Sequence, residues 1–180
     1  NLSECVAGIA KQYNPNCLTV QGGTNFPHQT NMQLNVLRQH PATDLHTIFE
    51  GEVAFYNIIE RLIKSENSLK DFFSSPISGS VFIDPTTKNS KVQKLVSTIL
   101  PVRLKHLDEI PSPYLNGMLD KFFDGRLTPF IETNRGCPFK CSFCHTGADY
   151  FQKINNFSIE RVNDEISYIG AKIAKTDIVN

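Results

Sequence analysis

The sequence predicts an α/β fold built in two parts, and three observations carry that prediction. From Ser3 to Lys64, apolar residues at helical spacing alternate with short β-prone runs, the pattern of a parallel α/β unit. Two of those runs end in turn-forming residues, Gly22-Gly23-Thr24 and Glu50-Gly51-Glu52. Much later a β-prone run from Leu127 to Asn134 leads straight into a loop of three cysteines, and a helical pattern follows, which is one further βα unit.

Val6, Ile9 and Ala10 recur at helical spacing between Ser3 and Tyr13, and Asn14-Pro15-Asn16 closes that helix. Cys17 to Gln21 is β-prone and runs into Gly22-Gly23, where the backbone turns tightly or approaches something closely. Thr30 to Gln39 reads as a second helix, ended by His40-Pro41. Leu45 to Phe49 reads as a strand, and His46 as one of its residues. After Glu50-Gly51-Glu52, the residues Val53, Phe55, Ile58, Ile59, Leu62 and Ile63 form an amphipathic helix to Lys64. Ile77 to Pro85 is a strand running into a turn, Thr86 to Lys91 a polar loop, and Val92 to Leu100 fits helix or strand. Leu107 to Leu115 carries two prolines and reads as a linker, after which Tyr114 to Phe123 can be helical. Ile159, Val162, Ile166, Ile169 and Ile173 mark a last helix from Ser158, its N-cap, to Lys175, and Ile178-Val179 would start another strand.

Charge and composition narrow the function classes. Eighteen basic side chains balance eighteen acidic ones over 180 residues, so no global field favours nucleic acid or an anionic membrane. No apolar run has the length of a membrane span, and the first residues show no signal peptide, so the reading is cytoplasmic. The absent initiator methionine and the end in a β-prone run read as a fragment of a longer enzyme.

Cys137, Cys141 and Cys144 have the spacing C-x3-C-x2-C, with Phe143 just before the third cysteine and no cysteine after it. Iron–sulfur clusters are normally held by four thiolates, so three leave one iron of a [4Fe-4S] cluster open to a small molecule. A zinc knuckle is the neighbouring alternative, but a structural zinc site wants four ligands, and only His145 stands near. A disulfide framework fits poorly with five cysteines, an odd number, and no secretory signal.

The stretch Arg135 to Cys144, with its C-x3-C-x-aromatic-C loop, resembles the radical S-adenosylmethionine (radical SAM) superfamily. The helix, strand with Gly-Gly, helix, strand with Glu-Gly-Glu order resembles the second half of the cobalamin-binding domain that precedes many radical SAM domains. This resemblance implies a partial Rossmann-like cobalamin-binding domain at residues 1–106, a linker at 107–126, and at 127–180 the first βα unit of a radical SAM (β/α) partial barrel. It implies that Cys137, Cys141 and Cys144 hold the cluster, that SAM chelates the open iron, and that Phe143 packs on the adenine, where simple burial is the other reading. It implies that Gly22, Gly23, Thr24, Glu50, Gly51 and Glu52 touch the nucleotide tail of cobalamin. The plainer readings are a βα turn for the glycines and a helix start favoured by acidic residues for the second loop. Asp44-Leu45-His46 begins like the D-x-H-x-x-G signature of cobalt-ligating histidines, but Phe49 stands in place of the glycine.

The activity implied is reductive cleavage of SAM to methionine and a 5′-deoxyadenosyl radical, followed by cobalamin-dependent methyl transfer to an unactivated centre of a small-molecule or natural-product substrate. An electron donor such as flavodoxin or ferredoxin would feed the cluster. Arg135 and Lys140 would raise its potential or be ordinary surface charges. Gly136 would let the backbone pass close to the cluster. A cobalamin-independent radical SAM enzyme and a non-enzymatic zinc-binding module are the alternatives.

Overall fold

Helix α1 (Leu2–Tyr13) shows how far a pattern of apolar residues can depart from burial. Its stripe of Val6 and Ile9 is exposed, and only Ala7 is buried. The helix is tied down by polar contacts instead. Glu4 accepts from the backbone N–H of Ala42 and the Thr43 hydroxyl, and Lys11 pairs with Asp44 at 2.6 Å. Asp44 also accepts from the N–H of Thr19, so one carboxylate joins helix and sheet.

The computed structural model describes residues 2–23, 25–98 and 103–173, and the chain divides into two compact units, Asn1–Arg103 and Leu104–Asn180. In the first unit, α1 is followed by β1 (Val20–Gln21), α2 (Thr30–Gln39), β2 (Leu45–Thr47), α3 (Gly51–Lys64), α4 (Leu69–Phe72), β3 (Ser80–Ile83) and β4 (Leu95–Ser97). The sheet order is β1-β2-β3-β4. β1 and β2 are parallel, with Val20 opposite Leu45 and Gln21 opposite His46, as the alternation of helices and strands predicts. β3 and β4 are antiparallel to their neighbours, so the sheet is mixed rather than wholly parallel. The physical reason is the connection. Between β3 and β4 lies a short polar loop with a turn of 3₁₀ helix at Pro85–Thr87, which can reverse the chain but cannot make a parallel crossover.

Side chains alternate across this sheet. Leu45 and Phe82 pack with Ile58 of α3, Phe72 of α4 and Ile77, while Val81 packs with Leu37 of α2, Phe26 and Ile48. The two clusters lie on opposite faces because successive strand residues point opposite ways. His46 is a buried residue of β2; its ring stacks on Phe26 at 3.8 Å, and Nδ1 lies 2.7 Å from the carbonyl of Thr47. Helix α3 buries Ala54 and Ile58, leaving Phe55, Ile59 and Ile63 exposed.

The second unit departs further from its pattern. Residues 127–133 are not a strand; among the described residues, pairing is confined to β5 (Asn134–Arg135) with β6 (Asn155–Asn156), antiparallel. A strand needs a neighbour to satisfy its backbone groups, and among the described residues β6 reaches only those two positions. The helix expected over Tyr114 to Phe123 is a series of turns with a 3₁₀ turn at Asp120–Phe122. There Ser112 and Asn116 accept from the backbone N–H groups of Leu115 and Met118, a local alternative to the helical ladder. Helix α5 (Ile159–Lys172) is capped by Ser158, which accepts from the N–H of Arg161. The expected strand at Ile178-Val179 lies outside the described residues.

The proline-rich segment is fastened to α5. Ser112 donates to Glu165 at 2.6 Å, Arg161 pairs with the same carboxylate at 2.7 Å, and Asp120 accepts from Tyr168. Asp108 accepts from the N–H of Ser158, just ahead of the helix.

Candidate functional site

In the first unit the residues of interest gather at one sheet edge. Because β1 and β2 run parallel and in register, the turns after both strands leave from the carboxyl edge, where ligands of open α/β sheets bind. Gly22 follows β1 directly, and Glu50 follows β2 through Ile48 and Phe49. Thr47 lies between the turns. Its hydroxyl donates to the carbonyl of Gln21, and it stands 2.6 Å from where a Cβ on Gly22 would be and 3.8 Å from the same point on Gly51. The two turns lie together at that edge. Gly22 and Gly23 are exposed there, and Thr24 lies outside the described residues.

Glu50 is more than an acidic helix start. Its side chain makes no cap bond to α3; it pairs with Arg103 at 2.8 Å, and both side chains are largely buried. The remaining oxygen, Glu50 Oε2, is buried with no hydrogen-bond partner among the described residues, and so is Gln21 Nε2. An unsatisfied buried polar atom costs about 1–3 kcal/mol, so this edge holds one unused acceptor and one unused donor. Between β2 and α3, Phe49 has φ 60 and its ring stacks on His28, a backbone conformation uncommon for a bulky residue. Glu52 is exposed in the first turn of α3. Gln21 and Arg103 were not legible as site residues, since neither belongs to a motif and Arg103 lies far along the chain.

The cysteine loop belongs to the second unit. Cys137 is half-buried, Cys141 and Cys144 are exposed, and all three are free thiols. Among the described residues no three His, Cys, Asp or Glu side chains stand arranged around a common metal position. The backbone of the loop is nevertheless anchored: Cys137 N–H donates to Phe151 O at 2.8 Å, Cys144 N–H to Cys141 O at 3.1 Å and Gly147 N–H to Cys144 O at 3.0 Å. Thr146 Oγ1 lies 3.1 Å from Cys144 Sγ, and this contact, with the backbone N–H groups of Thr146 and Gly147, holds the thiol below its ordinary range. A thiolate is the form that ligates metal. Donor chemistry, spacing and anchored backbone fit an iron–sulfur cluster in kind.

Neighbouring expectations are refined. Gly136 has φ 116, and a Cβ there would overlap Lys153 O and come 2.8 Å from Phe151 O, so the close approach it permits is to its own chain. Arg135 is paired with Glu132 at 2.8 Å and Lys140 with Asp149 at 3.2 Å, which offsets the charges that would raise a cluster potential. Phe143 is 91% exposed, so burial is not its role in this structure. No helix among the described residues is long and apolar enough to cross a membrane.

No family model matches the chain. Among curated proteins it is 32% identical over 169 residues to the cobalamin-dependent radical SAM methyltransferase TokK of Streptomyces tokunonensis, covering 91% of this chain and 23% of that protein. It is 33% identical over 170 residues to the 2-(S-pantetheinyl)-carbapenam-3-carboxylate methyltransferase of Streptantibioticus cattleyicolor, again with 91% of this chain and 23% of the relative. An uncharacterised methyltransferase of Pyrococcus horikoshii is 31% identical over 166 residues, 91% of this chain and 33% of its own. The chain thus spans between 23% and 33% of the length of these curated relatives. Over 91% of its length the chain is homologous to part of these methyltransferases, one of which is named a cobalamin-dependent radical SAM enzyme.

Proposed function

We propose that this chain is the junction region of a radical SAM methyltransferase that uses a [4Fe-4S] cluster, SAM and cobalamin. The observation that supports the reading most is the relation, over 91% of the chain, to a protein named a cobalamin-dependent radical SAM methyltransferase. When bound, the cluster supplies the electron for reductive cleavage of SAM, and cobalamin supplies a methyl group for transfer to an unactivated centre.

Cys137, Cys141 and Cys144 would hold the cluster, and the Thr146 hydroxyl favours the ligating form of Cys144. Gly136 lets the loop cross residues 151–153, which fixes where the first thiol leaves the backbone. Phe143 offers an exposed ring face for the adenine of SAM. Gly22, Gly23 and Thr24, with Glu50, Gly51 and Glu52, would receive the nucleotide tail of cobalamin at the edge organised by Thr47. The substrate would be a small molecule, and a flavodoxin or ferredoxin would supply electrons.

The test is anaerobic iron–sulfur reconstitution, read by iron and sulfide content and by electron paramagnetic resonance of the reduced protein with and without SAM. About four irons per chain and a spectrum altered by SAM are expected, with both lost when any of the three cysteines is changed to alanine. Stoichiometric zinc without sulfide would overturn the reading.

A further inference from the structure

The carboxyl edge of the β1–β2 pair holds three polar side chains that no motif marks as a set. Gln21 ends β1, and its Nε2 is a buried donor with no partner among the described residues. Glu50 follows β2, and its Oε2 is a buried acceptor in the same condition. Arg103 holds the other oxygen of that carboxylate at 2.8 Å, with 9% of its own side chain exposed. A glutamate placed only to favour the helix start would turn its oxygens to the N–H groups of α3, which Glu50 does not do.

We infer that Gln21 and Glu50 form a hydrogen-bonding pair for an uncharged polar group of the corrinoid, with Arg103 as the residue that positions Glu50. The inference rests on the cobalamin reading proposed above. Gln21 Nε2 can only donate, and an ionised Glu50 can only accept. The group that satisfies both carries a donor and an acceptor, which describes a carboxamide of the corrin periphery or a ribose hydroxyl of the nucleotide tail. The tail's phosphodiester is a poor match, because its negative charge would face the Glu50 carboxylate. Open space lies at the next position of the turn, where a Cβ on Gly23 would meet nothing within 4 Å.

The roles differ in kind. Gln21 and Glu50 would touch the ligand, whereas Arg103 acts through Glu50 by fixing which oxygen is left free. Lysine in place of Arg103 would keep the charge and part of that constraint, while methionine would keep only the bulk.

Binding of hydroxocobalamin and of cobinamide, which has the ring amides but lacks the nucleotide, would be measured by visible absorption titration of the 180-residue chain and its variants. Gln21→Met and Glu50→Gln are each expected to weaken cobalamin binding about tenfold, the loss of one hydrogen bond to a buried partner. Arg103→Met should weaken it similarly and Arg103→Lys less, with circular dichroism unchanged. Equal losses for both ligands would place the group on the ring, and a loss confined to cobalamin would place it on the ribose; either supports the pair. Should Glu50→Gln fail to fold, Gln21→Met decides, since it leaves the Glu50–Arg103 pair intact. Wild-type affinity in Gln21→Met and Glu50→Gln, with cobalamin still bound by the parent chain, would overturn this inference and leave the cobalamin reading standing. Absence of binding of either corrinoid by the parent chain would overturn both.

Discussion

Gly22 and Thr47 meet with no room for a methyl group between them: a Cβ on Gly22 would stand 2.6 Å from Thr47 Oγ1. Threonine is β-branched and stiff at χ1, so its hydroxyl cannot swing far aside. Gly22→Ala is therefore expected to destabilise the chain by about 1–3 kcal/mol, the usual cost of overpacking. Thr47→Ala in the same chain should recover most of that loss. Urea denaturation of the single and double variants measures the coupling directly.

The cysteine loop depends on a second such position. Gly136→Ala would place a methyl group into the carbonyl of Lys153 at a backbone φ of 116. Strained backbone and overpacking together predict a loss of about 2–5 kcal/mol. Thermal unfolding checks the stability. Iron content after reconstitution should fall as well, because Cys137 is the next residue and its N–H is held by Phe151 O.

Glu165 is the centre of the polar network that fastens the proline-rich segment to α5, accepting from Ser112 and pairing with Arg161. Its carboxylate and the guanidinium are both largely buried, at 10% and 14% exposure. Glu165→Ala strands a buried cation and should cost about 3–5 kcal/mol. Ser112→Ala removes one hydrogen bond to a charged group and should cost about 1.5–3 kcal/mol. Equilibrium unfolding separates the two, and the double variant should fall well short of their sum.

Burial lowers the pKa of His46 below its ordinary 6.5, against a raising contribution from the Thr47 carbonyl, and the like charge of His40 lowers it further. The unfolded chain therefore binds the proton more tightly than the folded one. The stability associated with His46 is fully present above pH 6.5 and is lost as the pH falls from there through the folded value. Denaturant midpoints taken from pH 8 down to pH 5 should decline for the wild-type chain, and the decline should be shallower for His46→Phe.

Phe143 stands almost free of its own chain, at 91% exposure. Phe143→Ala should change stability by less than about 0.5 kcal/mol, as surface substitutions do. It should also weaken the effect of SAM on the electron paramagnetic resonance of the reconstituted cluster, with iron content unchanged. An unaltered SAM response would remove Phe143 from the adenine site.

Much of this protein could be read before its structure was known, wherever a property belongs to neighbours in the chain. The helices at Thr30–Gln39 and Ile159–Lys172, with the Ser158 cap, follow from local periodicity and local hydrogen bonding. The cysteine spacing is likewise a local fact, and with it came the resemblance to the radical SAM superfamily. Tertiary structure decided what distant residues do to one another. It set β3 antiparallel to the parallel pair and β4 antiparallel to β3, limited pairing among the described residues of the second unit to Asn134–Arg135 and Asn155–Asn156, and left Val6 and Ile9 exposed. It also brought Arg103 to Glu50 across fifty-three residues. Burial and pairing depend on which surfaces meet, and no short stretch of sequence carries that information.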